Sequence, residues 1–396
     1  MIPLSVPNFE GNERKYVEDA VEQGWVSTGG AYITQLEKQM ADFLHVDDVA
    51  ACQSGTSALH MALIECGVKP GDMVIVPALT FIAAVNPVKY LFANPVFMDC
   101  DDSLCIDPSK LREFCENECE LTRFDDGEVR LVHKDSGAVV KAVVVVHVFG
   151  NMADMDAIMD IAEEFHLKVI EDATEALGTY YLSGKYKGKY AGTIGDFGAY
   201  SFNGNKIITT GGGGAVVAKE KGETAHLRYL STQAKDDPHF YVHNEIGYNY
   251  RMTNVQAAIG VAQMEELPEF ILRKNSNYDY YNKVLESYGN IELMPFRTET
   301  YSNKWFYSVV LPIENLSISV KDIVELLQDS CGVQTRLIWS LINEQRPYIE
   351  ELSYRVEKAK YYSERVLNLP CSTNITTEEI DYVVDSLYKI VKDYWK

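Results

Sequence analysis

The sequence predicts an α/β protein, with a large domain built on a mixed, mostly parallel sheet and a small C-terminal α/β domain. Short, continuously apolar runs alternate with helical patterns, which is typical of a parallel sheet covered on both faces. The 396 residues also exceed what one hydrophobic core usually supports. A long helical pattern from Thr253 to about Leu285 leads out of the first part. We therefore expect domains at residues 1–265 and 266–396.

The individual elements follow from periodicity and turn residues. Apolar runs predict strands at Met73–Pro77, Pro95–Asp99, Ala142–Val148, Lys168–Asp172 and Ala215–Ala218. Helical spacing predicts helices at Glu13–Gln23, Ile33–Leu44, Ala58–Cys66 and Met155–His166, and Pro268 should kink the long helix. Turn signals at residues 125–127 and 135–137 predict a surface hairpin inserted at residues 120–138. An inert insertion is the favoured interpretation, and a functional role stays open.

Bulk properties exclude several classes of partner. The net charge of −22 argues against nucleic acid, because binding to it depends on clustered lysine and arginine. No apolar run approaches the roughly 20 residues that cross a bilayer. Residues 1–7 have neither a basic region nor an apolar core, so we expect no signal peptide and a cytoplasmic protein. The eight cysteines have no zinc-like spacing with histidine, so no metal site is expected.

Three segments carry groups that can act chemically. Residues 201–206 (SFNGNK) place Lys206 in an otherwise uncharged run before four glycines, and a lysine in an apolar setting can form a Schiff base. Asp172 ends a strand, where open α/β sheets place ligands. Residues 54–57 (SGTS) open a helix whose amides attract phosphate. Taken singly, these are also a solvated loop lysine, an ordinary strand-end aspartate and a plain N-cap. Together they are what pyridoxal phosphate needs from a protein.

Ordered motifs resemble the pyridoxal-phosphate-dependent sugar-nucleotide aminotransferases of the DegT/DnrJ/StrS family, from near Pro3 to the C-terminus. The matching runs are residues 24–29 (GWVSTG), 54–60 (SGTSALH), 80–81 (TF), 171–173 (EDA), 195–202 (GDFGAYSF), 205–206 (NK) and 247–253 (GYNYRMT). Within the family, the chain most resembles the branch that aminates C4 of 4-keto-6-deoxy-N-acetylhexosamine nucleotides, on routes to bacillosamine and legionaminic acid. The marks of that branch are Glu175, residues 201–210 and the 120–138 insertion.

The resemblance implies fold type I of the pyridoxal phosphate enzymes and a homodimer with shared active sites. It implies that Lys206 holds the cofactor as an internal aldimine, and that Asp172 binds the pyridine nitrogen. Phe81 would stack on the ring, although core packing is the favoured interpretation of a lone phenylalanine.

The remaining site residues are also carried over from the family. The cofactor phosphate would be held by Gly55, Thr56 and Ser201, with Asn249 contributed by the neighbouring subunit. Further candidates are Glu175 and Asn203 at the cofactor, and Arg251, Arg336 and Trp339 at the substrate.

The implied reaction transfers an amino group from L-glutamate to C4 of a nucleotide-linked 4-keto-6-deoxy-N-acetylhexosamine, for bacterial glycan or nonulosonic acid biosynthesis. The expected type is a UDP-2-acetamido-4-amino-2,4,6-trideoxyglucose transaminase, with UDP and GDP both left open. One rival is a pyridoxal-phosphate-dependent sugar dehydratase, in which histidine replaces the lysine, so Lys206 disfavours it. Another is a non-catalytic regulatory protein that binds a nucleotide sugar or the cofactor, in which the whole catalytic set would be idle.

Two regions depart from the family pattern. Glu175 stands where many members have glutamine or histidine near the phenolic oxygen of the cofactor. Its carboxylate must therefore be accommodated by its neighbours or carry a proton. Residues 335–339 (TRLIW) lack the proline that usually follows the arginine, and Ile342 and Asn343 stand where a histidine is common. These positions line the sugar-nucleotide site in relatives, so the implied substrate rests on less than the implied chemistry.

Overall fold

The computed structural model of the chain describes residues 1–237, 239–289 and 291–396. The helices are Glu13–Glu22 (α1), Ala31–Leu44 (α2), Gly55–Glu65 (α3), Asn86–Tyr90 (α4), Pro108–Asn117 (α5), Met155–Phe165 (α6), Glu223–Ser231 (α7), Asn254–Glu286 (α8), Val320–Cys331 (α9), Lys358–Ser363 (α10) and Thr377–Asp393 (α11). The strands are Ala50–Cys52 (β1), Met73–Pro77 (β2), Asn94–Met98 (β3), Cys119–Arg123 (β4), Val129–His133 (β5), Val140–Val146 (β6), Lys168–Asp172 (β7), Tyr180–Tyr181 (β8), Phe197–Ser201 (β9), Gly214–Ala218 (β10), Thr300–Tyr301 (β11), Tyr307–Val310 (β12), Arg336–Leu337 (β13), Ser353–Tyr354 (β14) and Val366–Leu369 (β15).

The core of the molecule is an eight-stranded sheet in the order β1-β10-β9-β7-β6-β2-β3-β14. The pairings from β9 to β14 are parallel, whereas β10 is antiparallel to both β1 and β9. Strands β2, β6 and β7 are almost wholly buried, as continuous apolar runs require when helices cover both faces. The predicted fold class is confirmed.

The direction of three strands places the chemically interesting segments at one edge of this sheet. Strand β9 is parallel to β7, and β1 is antiparallel to β10, which is itself antiparallel to β9. Strands β1, β7 and β9 therefore all end at the same edge. The start of α3, the side chain of Asp172 and the loop after Ser201 consequently meet there.

The predicted strands agree closely with the structure. The bounds of β2 and β7 are as predicted. Those of β3 and β6 differ from the prediction by one or two residues at both ends, and β10 begins one residue earlier than predicted. Strand β6 ends early because the chain turns at His147 into the short 3-10 helix Val148–Gly150. The predicted hairpin is formed by β4 and β5, which pair antiparallel from Cys119 opposite His133 to Arg123 opposite Val129.

The C-terminal part contains a three-stranded sheet in the order β12-β15-β13. Helix α11 packs on α8 and α9, and its apolar face is buried. The predicted boundary at residues 265 and 266 falls inside α8, which continues on both sides of Pro268. Strand β14 comes from beyond that boundary and pairs with β3 of the large sheet. Within the described residues, every helix is too short or too polar to cross a bilayer.

Candidate active site

A cavity of about 480 Å³ opens where β1, β7 and β9 end. Its lining includes ten of the twelve residues predicted for the site, namely Gly55, Thr56, Phe81, Asp172, Glu175, Ser201, Asn203, Lys206, Arg336 and Trp339. The structure thus brings together side chains from three strand ends, from the loop before α4 and from β13. Asn249 and Arg251 do not line this cavity within the described residues.

The start of α3 forms one wall of the cavity. Ser54 caps the helix by accepting a hydrogen bond of 3.1 Å from the Ser57 amide. Gly55 packs so tightly that an added Cβ would lie 2.8 Å from Cγ2 of Thr174 and 3.0 Å from Cβ of Ser201. Glycine at this position lets the first turn of α3 pack this closely against the ends of β7 and β9. The amides of such a turn, together with the helix dipole, attract an anion.

The loop between β9 and β10 carries Lys206 and is closed by its own backbone. The Phe202 amide donates to the Gly213 carbonyl, and the Thr210 amide donates to the Phe202 carbonyl, both at 2.9 Å. A tight turn inside the loop is closed by the Lys206 amide, which donates to the Asn203 carbonyl at 3.0 Å. This loop fixes the point from which the lysine side chain enters the cavity.

The Lys206 ammonium lies between a carboxyl group and an aromatic ring. Its Nζ is 3.5 Å from Oε1 of Glu175 and 4.2 Å from the ring centroid of Trp305. The indole nitrogen of Trp305 donates to the Asn205 carbonyl at 2.8 Å, which ties the ring to the lysine loop. The Lys206 side chain is only 12% exposed, and these contacts hold it in place.

Two buried carboxyl groups face this lysine. Burial raises the pKa of Asp172, while the Thr174 hydrogen bond and the Lys206 charge oppose that rise. Burial likewise raises the pKa of Glu175, and the Lys206 charge and the Phe149 amide oppose it. Both shifts have the same physical cause, which is the loss of water around a carboxylate.

Phe149 holds Glu175 through an unusual backbone conformation. Its φ of 56° is in the left-handed region that residues other than glycine rarely adopt. In that conformation its amide donates to Oε2 of Glu175 at 2.9 Å. Its ring lies 4.9 Å from that of Trp339 and 5.5 Å from that of Phe306, measured between centroids. Glu175 Oε2 is thereby fixed as an acceptor, and Oε1 faces the lysine.

A third buried carboxyl group, that of Glu171, supports the site from below. Glu171 accepts hydrogen bonds from the Gly192, Ile194 and Gly195 amides at 2.9, 2.6 and 2.6 Å. His147 accepts the Ala153 amide at Nδ1, so its Nε2 carries the hydrogen and donates to Glu171 at 2.8 Å. This network fixes β7 and the turn after β6, and thereby the neighbouring Asp172.

Arg251, which the sequence predicts for the substrate site, does not line the cavity of its own chain within the described residues. Its guanidinium is buried, forms a two-point ion pair with Glu37 and donates to the Ala51 carbonyl at 3.1 Å. These contacts join β1 to α2. Asn249, two residues earlier, is exposed and bridges to Thr232 away from the cavity of its own chain.

Sequence reasoning missed Phe149, Asn205, Trp305 and Phe306, all of which line the cavity. Asn205 belongs to the quoted motif at residues 205–206 but was not assigned to the site, and no motif marks Phe149, Trp305 or Phe306. Trp305 reaches the site through a tertiary contact with the lysine loop, about a hundred residues earlier in the sequence.

The sequence profile of the DegT/DnrJ/EryC1/StrS aminotransferase family matches residues 7–388. The chain belongs to this family. It is 35% identical over 392 residues to a GDP-perosamine synthase of Caulobacter vibrioides, with 98% of each chain covered. It is 34% identical over 391 residues to the putative pyridoxal phosphate-dependent aminotransferase EpsN of Bacillus subtilis, covering 98% of this chain and 95% of EpsN.

The fold also matches a solved structure. The crystal structure of the aminotransferase TlmJ from Streptoalloteichus hindustanus superimposes with a TM-score of 0.85 and covers 99% of both chains, at 24% identity. The protein is thus a sugar-nucleotide aminotransferase of the DegT/DnrJ/EryC1/StrS family, and its cofactor is pyridoxal phosphate. The legionaminic acid and bacillosamine branch is not distinguished by these similarities.

The residues of the cavity fit this cofactor. The first turn of α3, with Gly55 and Thr56, lines the cavity, and its amides suit a phosphate. The donor set combines a buried lysine with a carboxyl group at the end of β7, which suit an aldehyde and a pyridine nitrogen.

We expect Glu175→Gln to stabilise the cofactor-free protein near neutral pH. Because the pKa of Glu175 is raised on folding, its contribution to stability is fully present below its ordinary value of 4.5 and is lost as pH rises through the folded-state value. The advantage of the variant should be on the order of 1 kcal/mol at about pH 8 and should vanish toward about pH 4. Urea unfolding of the cofactor-free proteins across this range measures it.

Glu171→Gln is the matched control, since it makes the same change at a buried neighbour. It should destabilise the protein by about 1–3 kcal/mol, because the amide presents an NH₂ group to backbone N–H donors. A Glu175→Gln variant that is as unstable as Glu171→Gln at every pH would contradict the interpretation that Glu175 is buried at a cost.

Proposed function

We propose that the protein transfers the amino group of L-glutamate to C4 of a nucleotide-linked 4-keto-6-deoxy-N-acetylhexosamine, as a UDP-2-acetamido-4-amino-2,4,6-trideoxyglucose transaminase does. The observation that carries the proposal is the position of Lys206. Its Nζ is buried beside Glu175 and Trp305, in a cavity that also contains Asp172 and the start of α3. The motif resemblance to the C4-aminating branch supports the choice of sugar.

The roles of the residues follow from their chemistry. Lys206 would bind the aldehyde carbon, and Asp172 would pair with the ring nitrogen. Gly55, Thr56 and Ser201 would hold the phosphate at the start of α3, where amides and hydroxyl groups converge. Asn203 lies at the start of the lysine loop and would add a polar contact, and the ring of Phe81, which is 55% exposed, would pack on the cofactor face.

Bound pyridoxal phosphate supplies an aldehyde that exchanges amino groups and a ring that accepts electrons from the substrate Cα. The ε-amine of Lys206, once released, would take the Cα proton of glutamate and return a proton to C4 of the sugar. A single side chain can serve both steps because its loop holds it at a fixed place. The aromatic wall of Phe149, Trp305 and Phe306 would exclude water from that proton transfer.

Glu175 would hold a proton when the cofactor is bound. Its Oε2 accepts from the Phe149 amide, so the oxygen free to carry the proton is Oε1, on the Lys206 side. An acid at that place would donate a hydrogen bond to the phenolic oxygen of the cofactor, as the glutamine of other members would.

The substrate side of the cavity is formed by β13 and the chain after it. Arg336 is exposed at the cavity, and a guanidinium suits the two phosphates of a nucleotide sugar. Trp339 packs on Phe149 and offers an aromatic face beside it. These two residues would therefore contact the nucleotide sugar.

The alternative candidate substrate is a GDP-linked 4-keto-6-deoxyhexose without the acetamido group. The similarity to a GDP-perosamine synthase at 35% identity over nearly the whole chain favours it. The amine donor and the proposed roles of Lys206 and Asp172 would be the same with either sugar.

The function is tested by offering purified protein both 4-keto nucleotide sugars with glutamate and identifying the products by mass spectrometry and NMR. We expect the UDP-linked acetamido sugar to gain an amino group at C4. Lys206→Ala should lower turnover by orders of magnitude. In the unmodified protein, borohydride reduction should attach the cofactor to Lys206. Amination of the GDP-linked sugar alone would replace the proposed substrate with the alternative one, and cofactor attached to another lysine would contradict the proposed site.

We also propose a homodimer in which Asn249 reaches the phosphate in the partner's cavity. Asn249 is exposed and does not line its own cavity within the described residues, while a buried phosphate needs more donors than one helix start supplies. Co-expressing Lys206→Ala and Asn249→Ala chains should therefore restore activity. Each mixed dimer would have one site with both residues and one site with neither.

The control mixes Lys206→Ala with Asp172→Asn. Both of these changes fall in the cavity of the chain that carries them, so neither site of the mixed dimer is complete and no activity should return. Failure of the Lys206→Ala and Asn249→Ala mixture to exceed the sum of its parents, with mixed dimers shown by mass spectrometry and Asn249→Ala itself impaired, would rule out the shared site.

A further inference from the structure

Lys274 is a buried lysine outside the residues assigned above. It lies on α8 and is only 3% exposed. Its Nζ donates a hydrogen bond of 2.6 Å to the Trp305 carbonyl and a second, closer one to the Cys371 carbonyl. The ring of Tyr307 covers another side, with its centroid 4.8 Å from Nζ. The Tyr307 hydroxyl in turn donates to the Lys274 carbonyl at 2.8 Å.

Among residues 1–237, 239–289 and 291–396, no carboxylate pairs with this lysine. Burial lowers the pKa of Lys274, and within the described residues the interactions that oppose this shift come from Cys371 alone. An ammonium buried without an anionic partner is unfavourable unless its hydrogen bonds are satisfied. An apolar side chain would fill the same space without that cost. We therefore attribute the presence of a lysine to the two backbone carbonyls that it binds.

The segment that Lys274 holds is also held from the opposite side. The Asn303 side chain donates to the Glu175 and Leu177 carbonyls, both at 3.0 Å, and accepts the Trp305 amide at 3.1 Å. The amide and the carbonyl of Trp305 are thus each bound by a buried side chain. The orientation of the indole is thereby set by two fixed points rather than by packing alone.

The ring positioned in this way lies against Lys206. Its centroid is 4.2 Å from the Lys206 Nζ, and its indole N–H holds the Asn205 carbonyl in the same loop. It also stacks on Phe306 with 4.0 Å between centroids. A shift of Trp305 would therefore move both the wall beside the reactive amine and the loop that carries it.

We propose that Lys274 is a positioning residue, which acts through the Trp305 carbonyl to hold the indole ring against the amine of Lys206. This inference rests on the proposed role of Lys206. Lys274 is more than sixty positions from Lys206 in the sequence. It does not line the cavity within the described residues, so its effect on the site would be indirect.

The test is the rate at which the cofactor-free protein captures pyridoxal phosphate on Lys206, followed by absorbance and confirmed by borohydride trapping and peptide mapping. Lys274→Met keeps the length of the side chain but removes its donors, and we expect capture to slow by about tenfold. Lys274→Gln keeps one donor and should give an intermediate rate. Both proteins are measured well below their unfolding temperatures, where a purely structural role would leave the rate unchanged.

Lys304→Met is the matched control. Lys304 precedes Trp305 directly, but its Nζ pairs with Asp279 at 3.1 Å and lies over the Tyr278 ring. Its loss should change the capture rate less than twofold, as for a surface ion pair. Equal slowing by Lys304→Met and Lys274→Met would show that any change in this segment has the same effect, and would overturn the inference.

A double-mutant cycle with Trp305→Phe shows whether Lys274 acts through that residue. If it does, Lys274→Met combined with Trp305→Phe should be no slower than the slower single variant. Effects that multiply, or an unchanged rate in folded Lys274→Met and Lys274→Gln, would refute the positioning role. Trapping of the cofactor on a lysine other than Lys206 in the unmodified protein would instead refute the proposed site, so the two failures are distinguishable.

Discussion

The site depends on the burial of one ammonium and two carboxyl groups at a single edge of the sheet. Lys206 faces Glu175 at 3.5 Å, and Asp172 ends the adjacent strand β7. Burial disfavours the charged form of both carboxyl groups, so their pKa values rise despite the lysine. Such a cluster is costly in the free protein and becomes useful when a ligand supplies complementary charge. Much of the surrounding structure can be understood as what holds these groups in place.

Support for the cluster comes from backbone amides and from buried polar side chains. Phe149 adopts a left-handed conformation, of a kind that costs about 1–3 kcal/mol, and its amide holds Glu175. Glu171 binds three amides and His147 beneath Asp172. Groups fixed in this way need little rearrangement when a reaction develops charge, which is the electrostatic advantage of a preorganised site.

The sequence was sufficient to predict the sheet and most of the residues that meet in the cavity, because both depend on local patterns. Strand β7 has the predicted bounds since a continuous apolar run is interrupted by two acids at its end. Gly55, Asp172 and Lys206 fall together because strand ends in such a sheet converge. The ion pair of Arg251 could not be predicted in this way. A motif marks the residue, but only the structure shows that Glu37, far away in sequence, occupies its guanidinium.

Trp305, Asn303 and Lys274 were beyond sequence reasoning for the same reason. Lys274 belongs to a long polar helical pattern in which a lysine is ordinarily solvated, and its burial follows only when two distant carbonyls converge on it. Asn303 is a loop residue in the sequence, and only the structure shows that its side chain joins the Glu175 and Trp305 backbones. Contacts of this type leave no periodic or compositional trace.

The ion pair between Arg251 and Glu37 also explains how the neighbouring loop is presented. Arg251 bridges to Cys52 of β1, and its guanidinium binds Glu37 of α2, so this point of the chain is fixed to the large sheet. Asn249 lies two residues earlier and is exposed. The ion pair therefore anchors the loop that presents Asn249 outward, away from the cavity of its own chain. A residue with a structural task can in this way be as tightly required by the site as one that contacts the ligand.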